Sequence, residues 1–485
     1  MEDISFDFTP DRSSGIPIYR QLADYISAKV SSGDWAVGTR LPPQRLLAQR
    51  LGVNRSTVVA AMEELGSYGV LEGDFGGGTR VASNTWGVRM SARAPDWGRY
   101  LRSGPFRASA PTIQTIFRLE FQADYLRLGS GEPSPALFDH GALADAFARA
   151  AVRAPSLGYL PPAGLPELRE AVARRLGGRG IRVSPSCVLI TSGAIQALGL
   201  ISVSLLRPGG TVYAESPSYL KSLEVFQSAG VGLRGVSMDR DGLRPGALRA
   251  ALEPEGARDG LLYTIPTFQN PTGITMPEAR RRELFQFCQS ARLPMIEDDA
   301  YGELWLDGPP PAPIKAMDQN GMILYLGTMS KTLAPGLRLG WLVGPESVVA
   351  RLADVKSQTD CGTSSLSQWA LLELLESGAY DAHLERLRAA LRERRARAVE
   401  ALERHLTGLA QWTVPAGGFY IWLRLRDCRS ADGLFQRALK RKLLLHPGSL
   451  YDFSRSGAVR LSYAYEPPER FEQGVAALAE SLRES

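Results

Sequence analysis

Ile18, Leu22, Ile26 and Val30 recur at helical spacing, and the pattern stops at Ser32-Gly33-Asp34, which predicts an amphipathic first helix. A second, short helix fits residues 44–51, after Leu41-Pro42-Pro43. Gly52-Val53-Asn54 then forms a tight turn, with Asn54 capping a third helix whose apolar face is Val58, Met62 and Leu65. Two helices joined by so short a turn make a helix-turn-helix. Two β segments, residues 70–72 and 79–82, flank the run 73–78, rich in glycine, and predict a hairpin with a flexible tip, a wing.

Residues 84–118 show no period and predict a linker with local structure at most. Beyond it, short β-branched runs at 187–190, 211–213, 260–265, 294–296 and 323–325 alternate with longer helical patterns, the mark of an α/β unit built on a largely parallel sheet. Helical patterns across 368–405 and two late β segments, 418–425 and 458–462, predict a smaller α+β lobe closing over the first. The expected organisation is a winged helix-turn-helix at 14–83, a linker at 84–118 and a two-lobed α/β domain at 119–485.

A chain of 485 residues is long enough for two or three folding units. With 44% hydrophobic and 22% charged residues it falls in neither the disordered nor the fibrous class. The acidic, broken start MEDISFDFTPDR and the lack of a long uncharged apolar run lead us to expect a cytosolic protein without a membrane span. Cys187, Cys288, Cys361 and Cys428 stand far apart, without CxxC or Cys/His spacing, so neither a metal site nor a disulfide framework is expected. The formal charge of +5 is unevenly placed. Residues 15–83 are near neutrality, whereas in 84–118 Arg89, Arg93, Arg99, Arg102, Arg107 and Arg118 face only Asp96, so the linker is the basic part.

The third predicted helix opens with Asn54-Arg55-Ser56-Thr57. In a helix-turn-helix the first turn of this helix meets base edges, while flanking amides and cations hold phosphates. Arg55 is the candidate for a two-pronged contact to guanine, and Arg40 and Arg45 are candidate phosphate contacts. The plainer alternative for these arginines is the solvated face of a small helical domain that binds no DNA.

The other chemical signal is Gly327-Thr328-Met329-Ser330-Lys331-Thr332-Leu333-Ala334-Pro335-Gly336-Leu337-Arg338-Leu339-Gly340. A lysine that forms a Schiff base needs a fixed pocket, and a phosphorylated cofactor needs hydroxyls and a guanidinium; Thr328, Ser330 and Arg338 supply these. Thr191-Ser192-Gly193-Ala194 ends a strand and opens a helix, so the amides of Ser192, Gly193 and Ala194 can meet a phosphate dianion. His446, before Pro447-Gly448, is read as a loop residue, since Lys331 can itself shuttle a proton.

Two resemblances follow. Pro17-Ile18-Tyr19-Arg20-Gln21, Gly38-Thr39-Arg40-Leu41-Pro42, Leu51-Gly52-Val53-Asn54-Arg55-Ser56-Thr57-Val58 and Gly78-Thr79-Arg80-Val81, in this order, resemble the GntR-type winged helix-turn-helix. Pro43 and Val59 depart from it, at a position usually serine and at one where some relatives carry an arginine. The lysine string resembles that of class I aminotransferases, which implies that Lys331 carries pyridoxal phosphate (PLP) as an internal aldimine. It further implies Tyr219 stacked on the pyridine ring, Asn270 and Tyr301 at its hydroxyl, and Asp298 rather than Asp299 at its nitrogen. It implies Arg460 as a clamp for a ligand carboxylate and Tyr159 reaching the phosphate of a neighbouring subunit; Ala194 departs where a hydroxyl is common.

Joined in this order, the two halves resemble the MocR/GabR family of bacterial transcription regulators. That resemblance implies a homodimer binding double-stranded operator DNA with repeats, and a small amine or amino-acid effector, or PLP itself, sensed at Lys331. The alternative is a working class I aminotransferase with an accessory DNA-binding domain.

Overall fold

The computed structural model describes residues 6–74, 78–83, 103–105, 110–156, 158–253, 260–426, 431–454 and 456–484. The wing tip at 75–77 and the linker arginines Arg89, Arg93, Arg99, Arg102 and Arg107 lie outside the described residues. The chain divides into two compact units, Met1–Gly104 and Pro105–Ser485.

In the first unit the helices run Ile18–Ser31, Gln44–Leu51 and Arg55–Ser67. Leu22, Ile26 and Val30 from the first, Leu47 and Leu51 from the second, and Val58, Met62 and Leu65 from the third meet in one buried core. Gly52 adopts φ 60°, a left-handed conformation that lets the second helix stop and the third start within three residues. The hairpin pairs Leu71–Asp74 with Gly78–Val81, and a third short strand, Arg40–Leu41, adds to its edge. The sequence did not signal that strand, nor the packing of Phe6 and Phe8 on Trp35 and Tyr25.

The second unit is built on an eight-stranded sheet in the order Val188–Thr191, Gly340–Val343, Ile323–Thr328, Met295–Asp298, Gly260–Thr264, Thr211–Ser216, Gly232–Asp239 and Gly242–Leu243. Five neighbouring strands, from Ile323–Thr328 to Gly232–Asp239, are parallel, and Gly340–Val343 runs antiparallel to both its neighbours. Alternate residues feed two cores. Val212, Leu261, Ile296 and Leu324 join one apolar cluster, and Tyr213, Leu262, Met295 and Ile323 the other. Both faces are therefore covered, which is why these strands read as continuous apolar runs in the sequence.

The smaller lobe carries a four-stranded antiparallel sheet, ordered Ala410–Gln411, Tyr420–Leu425, Ala458–Ser462 and His446–Pro447. Residues 111–118, expected within the linker, instead form a helix with Leu119, Pro111–Leu119, whose Ile116 and Leu119 are buried in the core of the large unit. Nine residues give too few turns for that period to stand out among the prolines and arginines around it. Among the described residues no helix is long and apolar enough to cross a membrane.

Gly340 sits where two segments cross. A Cβ added there would lie 2.7 Å from the Gly327 carbonyl oxygen and 3.0 Å from Gly193 Cα, both backbone atoms. Gly340→Ala should therefore cost about 1–3 kcal/mol of unfolding free energy, read by urea denaturation of the full chain.

Candidate functional site

Thr191, Asp298 and Thr328 end three strands of the large sheet on one side, the side where α/β sheets bind ligands. Lys331 lies in the turn after Thr328, and its Nζ donates to the Gly131 carbonyl at 2.5 Å. Two cavities meet at this lysine. The first, about 150 Å³, is lined by Gly193, Ala194, Tyr219, Asn270, Asp298, Tyr301, Thr328, Ser330, Lys331 and Arg338, all singled out from the sequence, with Ser222, Ile265 and Pro335. The second, about 210 Å³, shares Tyr219, Asn270, Lys331 and Pro335 with it and extends to Arg460, Tyr420, His446, Tyr451, Lys221 and Glu120.

The floor of the first cavity is acidic. Asp298 is buried; its Oδ2 accepts from Tyr263 Oη at 2.7 Å, and its Oδ1 has no partner. Burial pushes its carboxyl up to about 6, against the opposing pull of the Tyr263 hydroxyl and with a further push from Asp299. Asp299 itself turns elsewhere, to Tyr325 Oη at 2.7 Å and the Arg179 guanidinium at 2.6 Å. Of the two adjacent aspartates, only Asp298 lines the cavity and offers it a free acceptor.

At the other end, Gly193 takes φ 101° and caps the helix Ala194–Ser204. Arg338, also left-handed at φ 52°, donates from Nη2 to the Ser192 carbonyl at 2.7 Å. A Cβ on Gly193 would approach Arg338 Nη2 to 3.1 Å, so the glycine keeps the guanidinium close to the turn. Ser192 does not line the cavity: its amide donates to Gln196 Oε1 at 2.7 Å and its hydroxyl lies 3.4 Å from that of Thr363. Thr328 and Ser330 hydroxyls sit 3.1 Å apart. A helix N-terminus, a guanidinium and these hydroxyls form a site suited to a phosphate dianion.

Arg460 projects from the strand Ala458–Ser462 into the second cavity. Its guanidinium lies between the rings of Tyr420 and Tyr451, 4.1 and 4.7 Å from their centroids. It donates to Asn270 Oδ1 at 2.9 Å and to the Gly129 carbonyl at 2.6 Å. His446 does more than shape a loop. Burial, reinforced by the Arg460 charge, pushes its pKa well below the usual imidazole range, so the ring is neutral at neutral pH. Its Nδ1 then accepts from Tyr451 Oη at 2.9 Å and faces Arg460 Nη2 at 3.2 Å, which fixes the proton on Nε2. Asn270 Nδ2 donates to Tyr301 Oη at 3.2 Å, tying the two cavities together. Tyr159 is 89% exposed and lines neither cavity.

In the first unit Asn54, Arg55 and Ser56 are exposed at the start of the third helix, Thr57 is half-buried, and Arg40 and Arg45 are exposed. None of the three arginines makes an ion pair among the described residues.

The family model "Bacterial regulatory proteins, gntR family" matches residues 18–81, and "Aminotransferase class I and II" matches residues 123–478. The chain is 49% identical over 474 residues, 98% of each chain, to the uncharacterized HTH-type transcriptional regulator YisV of Bacillus subtilis (strain 168). It is 30% identical to the HTH-type transcriptional regulator NorG of Staphylococcus aureus (strain N315), over 90% of this chain and 98% of that one. The chain belongs to the HTH-type transcriptional regulators of MocR/GabR type, in which a gntR domain precedes a class I aminotransferase domain. Among solved structures, alpha-aminoadipate aminotransferase LysN of Thermus thermophilus, complexed with N-(5'-phosphopyridoxyl)-L-leucine, shares 33% identity, with TM-score 0.74 over 80% of this chain and 99% of that one.

Pyridoxal phosphate is accordingly the cofactor of this MocR/GabR-type regulator. The residues fit that group: the unpartnered Asp298 Oδ1 suits a protonated ring nitrogen, and the Gly193 turn with Arg338 suits a phosphate.

A buried carboxyl with a raised pKa holds its proton more tightly folded than unfolded, so the stability of the cofactor-free protein falls as pH rises from about 4 towards 6. Asp298→Asn removes that penalty. Without cofactor the variant should be more stable than the wild type at pH 7 by on the order of 3 kcal/mol, with the advantage gone below pH 4 and PLP bound more weakly. Denaturation at the two pH values checks this, and an equal difference at both contradicts it.

Proposed function

We propose that this transcription regulator senses an amine, most simply an amino acid, at Lys331, and that occupancy of the site changes how its winged domains hold DNA. The supporting observation is the place of Lys331 at the junction of two cavities, one suited to PLP and one presenting a buried arginine. PLP, when bound, supplies a carbonyl carbon at which an amine can exchange with the lysine and a ring that acts as an electron sink.

The chain's own residues do the rest. Asp298 keeps the ring nitrogen protonated, Asn270 and Tyr301 orient the ring hydroxyl, and Tyr219 covers a face of the ring. Thr328, Ser330, Arg338 and the turn of Gly193 and Ala194 hold the phosphate. Arg460, held in place by His446 and the Gly129 carbonyl, meets the ligand carboxylate. Lys331 Nζ, when not joined to the cofactor, would rest on the Gly131 carbonyl and could hold a proton there.

The reader of DNA is the segment 14–83, with Arg55 at base edges, Asn54, Ser56 and Thr57 beside it, and Arg40 and Arg45 on phosphates. Residues 84–110 tether it to the large domain, whose first helix, Pro111–Leu119, contributes Ile113, Ile116 and Phe117 to the amine-side cavity. That wall is the natural mechanical link between ligand and tether. The working unit is a cytoplasmic homodimer, in which exposed Tyr159 reaches the partner's phosphate site and paired winged domains meet a repeated operator.

The same residues are compatible with a transamination half-reaction, and steady production of oxo acid from an amino donor and an oxo-acid acceptor would make this chain an enzyme first. The deciding variant is Lys331→Ala. It should lose the visible cofactor absorbance and the effect of amines on DNA binding, while DNA affinity without amine stays within about threefold, less than 1 kcal/mol. An amine response that survives in Lys331→Ala contradicts the proposal.

A further inference from the structure

Lys221 stands in the first turn of the helix Leu220–Ser228, where the helix dipole already disfavours a cation. It lines the amine-side cavity but not the cofactor cavity, which places it with the ligand and apart from the phosphate site. Lys331 and Arg460 line the same cavity, so without cofactor three cations share about 210 Å³, and with Lys331 joined to the cofactor Lys221 and Arg460 remain. The two carboxylates on that wall are already engaged: Arg127 Nη2 reaches Glu120 at 3.2 Å and Glu132 at 3.1 Å. Lys221 makes no ion pair among the described residues, and its Nζ rests 3.8 Å from the centroid of the Phe117 ring.

We propose that the effector is an amino acid with a second anionic group, its α-carboxylate on Arg460 and its distal carboxylate on Lys221. An unpaired lysine beside two other cations is an electrostatic cost in the empty protein, and an anionic ligand turns that cost into affinity. Burial depresses the Lys221 pKa and the neighbouring Lys331 and Arg460 charges add to this, against the opposing pull of Glu120 and Glu224. The Phe117 ring steadies the ammonium from one side and leaves its other hydrogens for the ligand. The cavity is small beside pockets for drug-sized ligands, of about 300–1,000 Å³, which suits a molecule of amino-acid size.

This specificity rests on the amine-sensing role proposed above, and the test separates the two. The holo-protein is titrated with both enantiomers of glutamate, aspartate, norvaline and lysine, read by the visible cofactor absorbance. A dicarboxylic amino acid should bind about tenfold or more tightly than norvaline or lysine, and Lys221→Met should erase that preference while Lys221→Arg retains it. Glutarate and butyrate, which carry no amine, read the anion site alone: glutarate should raise the melting temperature of the holo-protein more than butyrate does, and Lys221→Met should abolish the difference. Norvaline or lysine binding as tightly as the dicarboxylic amino acids, or a Lys221→Met variant that weakens all ligands equally, overturns the proposal and leaves amine sensing standing. An absorbance indifferent to every amino acid, with glutarate still bound through Lys221, overturns amine sensing and leaves the two-anion site.

Discussion

The site depends on a close crossing of backbone. The strand Gly340–Val343 runs antiparallel between Ile323–Thr328 and Val188–Thr191, and at its start Gly340 sits against both Gly327 and Gly193. No side chain fits at that crossing, so the turn that opens the helix Ala194–Ser204 and the turn that carries Lys331 are pressed together. Arg338, just ahead of Gly340, then closes the gap with its bond to the Ser192 carbonyl. The phosphate cradle and the lysine are thereby fixed to one another by main chain, and longer side chains need only fill in around them.

Charge is distributed to match. The cofactor end presents a helix N-terminus and Arg338 to an anion and a lone carboxylate oxygen of Asp298 to a cation. The ligand end gathers cations, with Arg460 held between two tyrosine rings and braced by a neutral His446. A ligand can shift DNA binding only by the difference in its affinity for the two arrangements of the protein. On the proposed reading, the helix Pro111–Leu119, which walls the ligand cavity and follows the tether in the chain, is the route by which that difference reaches DNA.

Much of this was legible in the sequence where chemistry is contiguous. Asn54-Arg55-Ser56-Thr57 sits in one helical turn, and the string from Gly327 to Gly340 carries lysine, hydroxyls and arginine within a single strand-turn-strand. The family resemblance pointed to Asp298 rather than Asp299; in the structure Asp298 lines the cavity and Asp299 turns to Tyr325 and Arg179. His446, Tyr420 and Lys221 were not legible as site residues, because each reaches the cavity only through packing of distant segments. Lys221 in isolation is an ordinary lysine on a short helix. The strand Arg40–Leu41 was missed because two residues carry no recognisable alternation. Ser192 was assigned a phosphate contact that its bond to Gln196 takes up in the structure, a competition that only three dimensions reveal.

The central claim is that one molecule couples an amine at Lys331 to DNA at Arg55, and coupling of binding is reciprocal. The most direct measurement is the affinity of the holo-protein for a responsive amino acid, read by cofactor absorbance, with and without saturating operator DNA. The account predicts that DNA changes amine affinity by the same factor by which the amine changes DNA affinity. Equal amine affinity in the presence and absence of operator would contradict it.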